Sequence, residues 1–415
     1  MDGSNDAAAG SAKHRLLACI WMVLAVGVAA SWLVEGRAGR LRDEAHLPLG
    51  ILGGVFLLLA IATWIFGRRA VVVRANVAAL SFVILAPIVA EVGLRASFRL
   101  QGSPTKDAGL YAKNTVDDDY WILRGRWMPE GRTIAPKRIH PSLGWSQIAR
   151  GPRNPSGIHR KSLEQLGDTA RPKLLFYGDS YVAGSVERLE DRIPDQLDAL
   201  LPGTDVVHLG VGGYGTDQSY LLMVETIDLA ERPFVVMSAM IYDMDRSILR
   251  VRDYQKPRVV IQESGKLEVT NVPIDPDPEH FYATAPTSIR SYVASALSER
   301  YRDLPDPLME EKRKLNRKIL AATAALAAEK DARLLFVVFH PKRELKKPNW
   351  RSKFFISQCE ALGIDCFDTR PALLAHIEET GATLRDLYQH NHHNARSNRV
   401  ISEALAERLR LLEIE

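Results

Sequence analysis

Three long apolar stretches in the first hundred residues constrain this 415-residue chain more than any other feature. Leu16–Val34 (LLACIWMVLAVGVAASWLV) and Leu49–Phe66 (LGILGGVFLLLAIATWIF) carry no charge. Val77–Leu94 is alike except for one acid near its end, Glu91. A helix crossing the hydrocarbon core of a bilayer needs about twenty mainly apolar residues. Transmembrane helices are therefore expected at 16–34, 49–66 and 77–94, within a membrane domain of residues 1–99. The first stretch has a rival reading as a cleavable signal peptide, since Lys13 and Arg15 precede it; the two that follow favour a small membrane domain. Loop charge bears on orientation. The N-terminal flank carries Lys13 and Arg15 and the second loop Arg68, Arg69 and Arg74 without an acid; the first loop carries Arg37, Arg40 and Arg42, so the Lys/Arg count does not separate the loops cleanly, and the balancing acids Glu35, Asp43 and Glu44 count little in this rule. The expectation is an N-terminus inside, three crossings of an inner (cytoplasmic) membrane and a C-terminal domain in the periplasm or its equivalent.

Net charge is +4, from 54 basic and 50 acidic side chains. A nucleic-acid binder shows a concentrated basic face, so no nucleic-acid partner is expected. Of three cysteines, Cys19 lies in an apolar run. Cys359 and Cys366 are either a disulfide, in an oxidising compartment, or two buried thiols. No Cys/His spacing resembles a zinc site, and neither metal nor cofactor is expected.

Residues 100–170 hold many Gly, Pro and Arg and little periodicity. They read as a linker and irregular extension, with HPSLGW (His140–Trp145) an ordered turn. From Lys173 a rhythm begins. The short apolar runs KLLFYG, VVHLG, PFVVMSAMIY, RLLFVVFH and IDCFD alternate with stretches of helical spacing. That alternation predicts an α/β domain over 171–415, its parallel sheet covered on both faces. Period-two patterning around Ser264-Gly265 predicts a β-hairpin insertion near 254–280, placed to cap the sheet edge where open α/β sheets bind ligands.

Chemistry-bearing residues collect at the ends of the predicted strands. They are Gly178-Asp179-Ser180, the glycine-rich stretch from His208 to Thr216, Tyr242 to Arg246, and Gln389 to Asn394. A parallel sheet gathers them at one edge. A serine, backbone amides of a glycine turn and a histidine are what acyl transfer requires. Each has a plainer reading. Ser180 can simply begin a helix, Asp179 can bond turn amides, and Asp243, Asp245 and Arg246 can pair among themselves or shape the pocket. His340 reads as structural or substrate-lining. Gly210-x-Gly212-x-x-Gly215 also fits a dinucleotide fingerprint. Asp243, however, is poorly spaced as its ribose partner, and that reading leaves Ser180 and the terminal histidines without a role.

The set resembles the SGNH (GDSL-type) hydrolase family over roughly residues 170–412. Gly178–Ser180 is similar to its nucleophile motif, the glycine turn to its second motif, and His392-His393-Asn394 to its terminal His-x-Asn. The resemblance implies a flavodoxin-like three-layer α/β/α parallel sheet; the expected N-terminal transmembrane segment, read from apolar length, lies outside it. It implies Ser180 as nucleophile and His392 as base, with the N–H groups of Ser180 and Gly213 stabilising the oxyanion. Tyr242, beside Asp243, stands where the family has an oxyanion-binding Asn. Gln389 and His390 stand where it has the Asp that orients the histidine. Asp386, His390 or a backbone carbonyl would then orient His392, or the pair acts as a dyad. The implied activity is that of a membrane-anchored serine esterase or acyl transferase. Its substrates would be O-acyl, chiefly O-acetyl, groups of cell-envelope glycans or lipids, within envelope polysaccharide machinery. The alternative is a catalytically weakened domain that binds glycan or a partner in an envelope assembly.

Overall fold

The alternation that begins at Lys173 folds as one parallel sheet. The computed structural model describes all residues except 1–2, 38–40, 68, 132–133, 153, 156, 169, 187, 303–305 and 413–415. Arg40 and Arg68, counted above in the loop charges, lie outside the described residues. The chain forms two compact units, residues 1–113 with 287–307, and residues 114–286 with 308–415.

The first unit holds three helices, α1 (Gly3–Arg37), α2 (Asp43–Phe66) and α3 (Ala70–Ser97). Each is long and apolar enough to cross a membrane, with mean hydropathy of 2.3, 2.4 and 2.3 over the candidate spans. Their side chains are sorted opposite to those of a water-soluble bundle. Val23, Leu58, Trp64 and Phe82 face outward, while Thr63 and Asn76 are buried. Trp21 Nε1 donates to Asn76 Oδ1 at 2.6 Å, and Thr63 Oγ lies 2.7 Å from the same oxygen, so one polar cluster joins all three helices. Such interhelical bonds satisfy groups that hydrocarbon would leave unpaired.

The lone acid of α3 has a partner distant in sequence. The Glu91 carboxylate accepts from Ser291 Oγ at 3.0 Å and from the N–H groups of Tyr292 and Val293 at 3.2 and 3.0 Å. It thereby caps the helix Tyr292–Tyr301, where a negative charge complements the helix dipole. The other end of that helix bonds the connection between α1 and α2. Tyr301 O accepts from Arg42 N at 2.9 Å, and Arg300 pairs with Glu44 at 2.8 Å. The end of α3 and the α1–α2 connection therefore lie at the same end of the bundle, as three antiparallel helices require. Sequence reading had placed this helix in the α/β domain. Its burial partners, invisible in local periodicity, place it with the apolar helices.

The second unit is built on β1 (Lys173–Gly178), β2 (Asp205–Gly210), β3 (Phe234–Met240), β4 (Arg333–Phe339) and β5 (Asp365–Asp368), all parallel, in the spatial order β2-β1-β3-β4-β5. This is the flavodoxin-like order. Helices α4 (Ile193–Leu200), α8 (Thr369–Thr380) and α9 (Ala395–Leu411) cover one face. Helices α5 (Thr216–Thr226), α6 (Met309–Glu329) and α7 (Trp350–Leu362) cover the other. Every residue of β1, β2 and β3 is buried, which accounts for their near-continuous apolar runs. The register pairs Gly178 with Gly210 and Tyr177 with Met237, bringing the C-terminal ends of these strands into line.

One sequence expectation needs correction here. Residues 100–170 hold more than a linker and irregular extension: at the ordered turn His140–Trp145, Ile139–His140 pairs with Gly144–Trp145, and Ile139, Leu143, Trp145 and Ile158 enter the main core. Their apolar residues are too sparse to register as a period. The hairpin expected near 254–280 has its strands at Arg258–Ile261 and Leu267–Thr270. It lies against α6, with Val259 beside Leu315 and Ile319. Cys359 and Cys366 are free thiols in this structure.

Candidate active site

The turn after β1 creates the site. Asp179 accepts from Tyr181 N through Oδ1 at 2.8 Å and so caps the single helical turn Ser180–Ala183. Ser180 therefore stands at the C-terminal edge of the sheet, half-buried. Its Oγ lies 2.8 Å from His392 Nε2 and 3.2 Å from Asp179 Oδ2. The hydroxyl has one proton to give, and the shorter contact is to the imidazole.

His392 comes from a tight antiparallel pair in which Gln389 opposes His392 and Tyr388 opposes His393. Asn394 accepts from Arg396 N and Ser397 N and caps α9, while Tyr388 donates to His340 O at 2.9 Å. These bonds tie the pair to the sheet and to the last helix. The imidazole itself is held by Tyr181, whose ring lies 5.3 Å from it and whose hydroxyl donates to Asn391 O at 2.5 Å. Among the described residues His392 Nδ1 has no hydrogen-bond partner. Asp386, a candidate to orient it, spends its carboxylate on Thr383 N and Oγ1, both at 2.7 Å, as a local helix cap. His390 is exposed in the turn, with φ of 57°. Neither is hydrogen-bonded to the imidazole. His393 is buried against Tyr181 and Tyr388, and His340 is buried with Nε2 2.7 Å from Asp368 Oδ1.

The glycine turn after β2 flanks Ser180. A Cβ at Gly212 would lie 3.9 Å from Ser180 Cβ, and Gly213 has φ of +87°, a conformation open to glycine at no steric penalty. Trp145 holds this turn through Nε1 donating to Gly212 O at 3.0 Å, and Tyr214 donates its hydroxyl to Trp145 O. Among the described residues, the N–H groups of Ser180 and Gly213 donate to no protein acceptor. Two unspent amides beside a serine hydroxyl have the form of an oxyanion hole.

Beneath the serine lies a buried ion cluster. Arg246 Nη1 is 2.8 Å from Asp179 Oδ2, 2.5 Å from Asp243 Oδ1 and 2.9 Å from Tyr214 O. Asp243 also accepts from Met240 N at 2.9 Å. Burial, and then the charge of Asp179, push the Asp243 carboxyl well above the usual range. Burial alone would lower Arg246, but Asp243 and Asp179 outweigh it and raise the guanidinium. Asp245 pairs elsewhere, with Lys312 and Arg351 at 2.8 Å each. Tyr242 donates its hydroxyl to Glu344 at 2.6 Å beneath Arg343 and Arg351, so it lines the cleft with its proton already spent.

A cleft of about 370 Å³ opens over these groups, lined among others by Trp121, Tyr181, Tyr242, Arg246, Arg252 and His392. Trp145, Tyr181 and Arg252 are the residues that sequence reading missed. None stands in a motif, and only HPSLGW hinted at the first. Burial lowers the His392 pKa, with Asp179 opposing and Arg246 adding to the effect. An imidazole with a lowered pKa stays neutral, and able to accept a proton, at more acid pH. The acid limb of kcat/KM is therefore expected below the ordinary histidine value of about 6.5. A pH–rate profile with its limb at or above that value would contradict His392 as the base.

No family model and no curated protein matches this sequence. Among solved structures the chain is similar to a member of the lipolytic protein G-D-S-L family from Veillonella parvula, at 10% identity and TM-score 0.36 over 57% of this chain and 96% of that one. It is also similar to a two-domain esterase active on acetylated mannans, at 11% identity and TM-score 0.36 over 62% and 56% of the two chains. A third is an acetyl xylan esterase from the rumen bacterium Butyrivibrio proteoclasticus, at 12% identity and TM-score 0.30 over 60% and 66%.

Proposed function

We propose that this chain is a membrane-anchored serine esterase or acyl transferase of the SGNH (GDSL-type) family, with Ser180 as nucleophile and His392 as base. The observation that carries the reading is the 2.8 Å contact between Ser180 Oγ and His392 Nε2 beside two unspent backbone amides. Ser180 Oγ adds to an ester carbonyl while its proton passes to His392 Nε2. The carbonyl electron pair moves onto oxygen, facing the N–H groups of Ser180 and Gly213. Collapse breaks the bond to the leaving alkoxide, which takes the proton from the imidazolium. Water, or a sugar hydroxyl, then repeats the sequence on the acyl-enzyme, and the acyl group leaves as an acid or on a new oxygen. In this scheme Asp179, Arg246 and Asp243 position the serine.

The substrate class follows from place. Three helices able to cross a membrane, with the loop charges read above, favour an inner-membrane protein whose α/β unit faces outward. O-acetyl groups of envelope glycans or lipids are then the accessible esters, and envelope polysaccharide machinery the natural setting. The detergent-solubilised full chain should hydrolyse short aryl acetates and acetylated glycans, and a fluorophosphonate should label Ser180. Folded protein that is neither labelled nor active would refute the esterase.

One observation favours a second reading. His392 Nδ1 lacks the carboxylate that, when neutralised in a serine protease, lowers kcat about 10⁴-fold. A domain weakened in this way would bind acylated glycan or a partner protein without turnover. Glycan binding by folded protein that takes no fluorophosphonate would support it.

A further inference from the structure

This inference rests on the esterase reading and concerns what else meets the oxyanion. Two backbone amides are neutral donors. The other polar groups near the turn are largely committed. Arg246 Nη1 is shared among Asp179, Asp243 and Tyr214 O, and the Tyr242 hydroxyl is held by Glu344. Arg343 lies over the Tyr242 ring, 4.7 Å from its centroid. Arg252 is placed differently. It lines the cleft together with His392, and its Nη1 lies 3.4 Å from where a Cβ on Gly213 would be. Its guanidinium stacks on Trp121, 4.5 Å from the ring centroid, and is anchored through Nη1 to Asp253. Its Nε and Nη2 have no acceptor among the described residues.

We propose that Arg252 is a catalytic residue of this site, donating a charged hydrogen bond to the oxyanion formed when Ser180 adds to the ester carbonyl. No proton changes hands at Arg252: the serine proton goes to His392, and the guanidinium meets only the charge that develops on oxygen. Charge-assisted donors are roughly twice as strong as neutral ones, and a largely desolvated site strengthens them further. The environment agrees with that role. Burial, then the neighbouring Arg246, lower the Arg252 pKa to about 9, so its charge is incompletely compensated until an anion arrives. Stacking on Trp121 fixes the plane of the fork, which a lysine in its place would not reproduce.

The test uses the detergent-solubilised full chain and the neutral ester p-nitrophenyl acetate. Arg252→Ala should lower kcat by about 10²–10³-fold, the loss seen for one oxyanion donor, with KM little changed. Labelling of Ser180 by a fluorophosphonate should slow in parallel, because attack of Ser180 Oγ on phosphorus, with loss of fluoride, builds negative charge on the phosphoryl oxygen in the same place. Added methylguanidinium should restore part of the rate, and Arg252→Lys should lose less than Arg252→Ala. Three results would overturn the proposal. One is an Arg252→Ala protein that turns over at the wild-type rate. Another is a loss confined to KM for carboxylate-bearing esters, which would make Arg252 a substrate anchor. The third is a loss that tracks a lowered Tm and resists methylguanidinium, which would make it structural. A wild-type protein without activity or labelling would fail at the esterase itself and take this inference with it.

Discussion

Replacing Ser180 with alanine is expected to lower kcat by between about 10²- and 10⁶-fold, and the size of the loss is itself informative. In a complete serine triad, removing the nucleophile costs about 10⁶-fold, whereas removing the carboxylate alone costs a little over 10⁴. A Ser–His pair that gained nothing from an orienting group would therefore have only about 10² left to lose. Here the imidazole is held by Tyr181, through ring contact and a hydroxyl bond to Asn391 O. The drop should exceed that lower bound to the extent that Tyr181 replaces a carboxylate. His392→Ala should cost about as much, and the double variant no more than either single one, because the two act on one proton transfer. Only a small change in stability is expected from Ser180→Ala, since the Asp179 carboxylate keeps its bonds to Tyr181 N and Arg246. A loss below tenfold with the fold intact would remove Ser180 from the nucleophile's position.

The second large effect concerns stability. Arg246→Met should cost about 3–5 kcal/mol, the usual penalty for leaving a buried charge without its partner. Two carboxylates depend on this guanidinium, and Asp179 and Asp243 are each 1% exposed. In a unit of this size that penalty lowers Tm by roughly 10 °C. Arg246→Lys should recover only part, because an ammonium cannot span Asp179, Asp243 and the Tyr214 carbonyl as the planar fork does. The pH dependence has a definite sign. Burial and the charge of Asp179 already hold the Asp243 carboxyl above the unfolded value of about 3.9, and losing the cation, which opposes them, raises it further. A raised pKa contributes stability that is present at low pH and lost as pH rises through the folded value. The gap in Tm between wild type and Arg246→Met should therefore be wider at neutral pH than at about pH 5. Equal melting of the two proteins at neutral pH would show that the cluster contributes little to stability. Activity should fall too, since Asp179 holds the turn that presents Ser180.

How much of this was legible in sequence depends on the range of the interaction concerned. The apolar stretches were visible because crossing a membrane is a demand on local composition. The strands were visible because burial on both faces leaves unbroken runs such as KLLFYG and FVVMSAM, and their parallel order followed from the helical segments between them. Ser180 and His392 stood out at element ends, in turns bounded by small and polar residues. Asp386 was misleading for the same reason: proximity in sequence suggested His392, but the nearer Thr383 amide and hydroxyl claim its carboxylate. Residues 114–167 looked like a linker because Trp145 and Ile158 reach the core from a segment without a period.

By itself, then, the sequence determined three helices suited to a membrane, a five-stranded α/β sheet, and a serine and a histidine at candidate turns. These follow from chain-local causes: apolar length, strand and helix period, and turn chemistry. Tertiary structure decided the rest. It brought His392 to Ser180 across 212 positions, gave Glu91 the helix at 292–301 to cap, held the glycine turn with Trp145, and left Arg252 beside it with unspent donors. The physical reason is that a buried polar group must find a partner, and its choice among many acids, amides and carbonyls is made by burial and distance after folding.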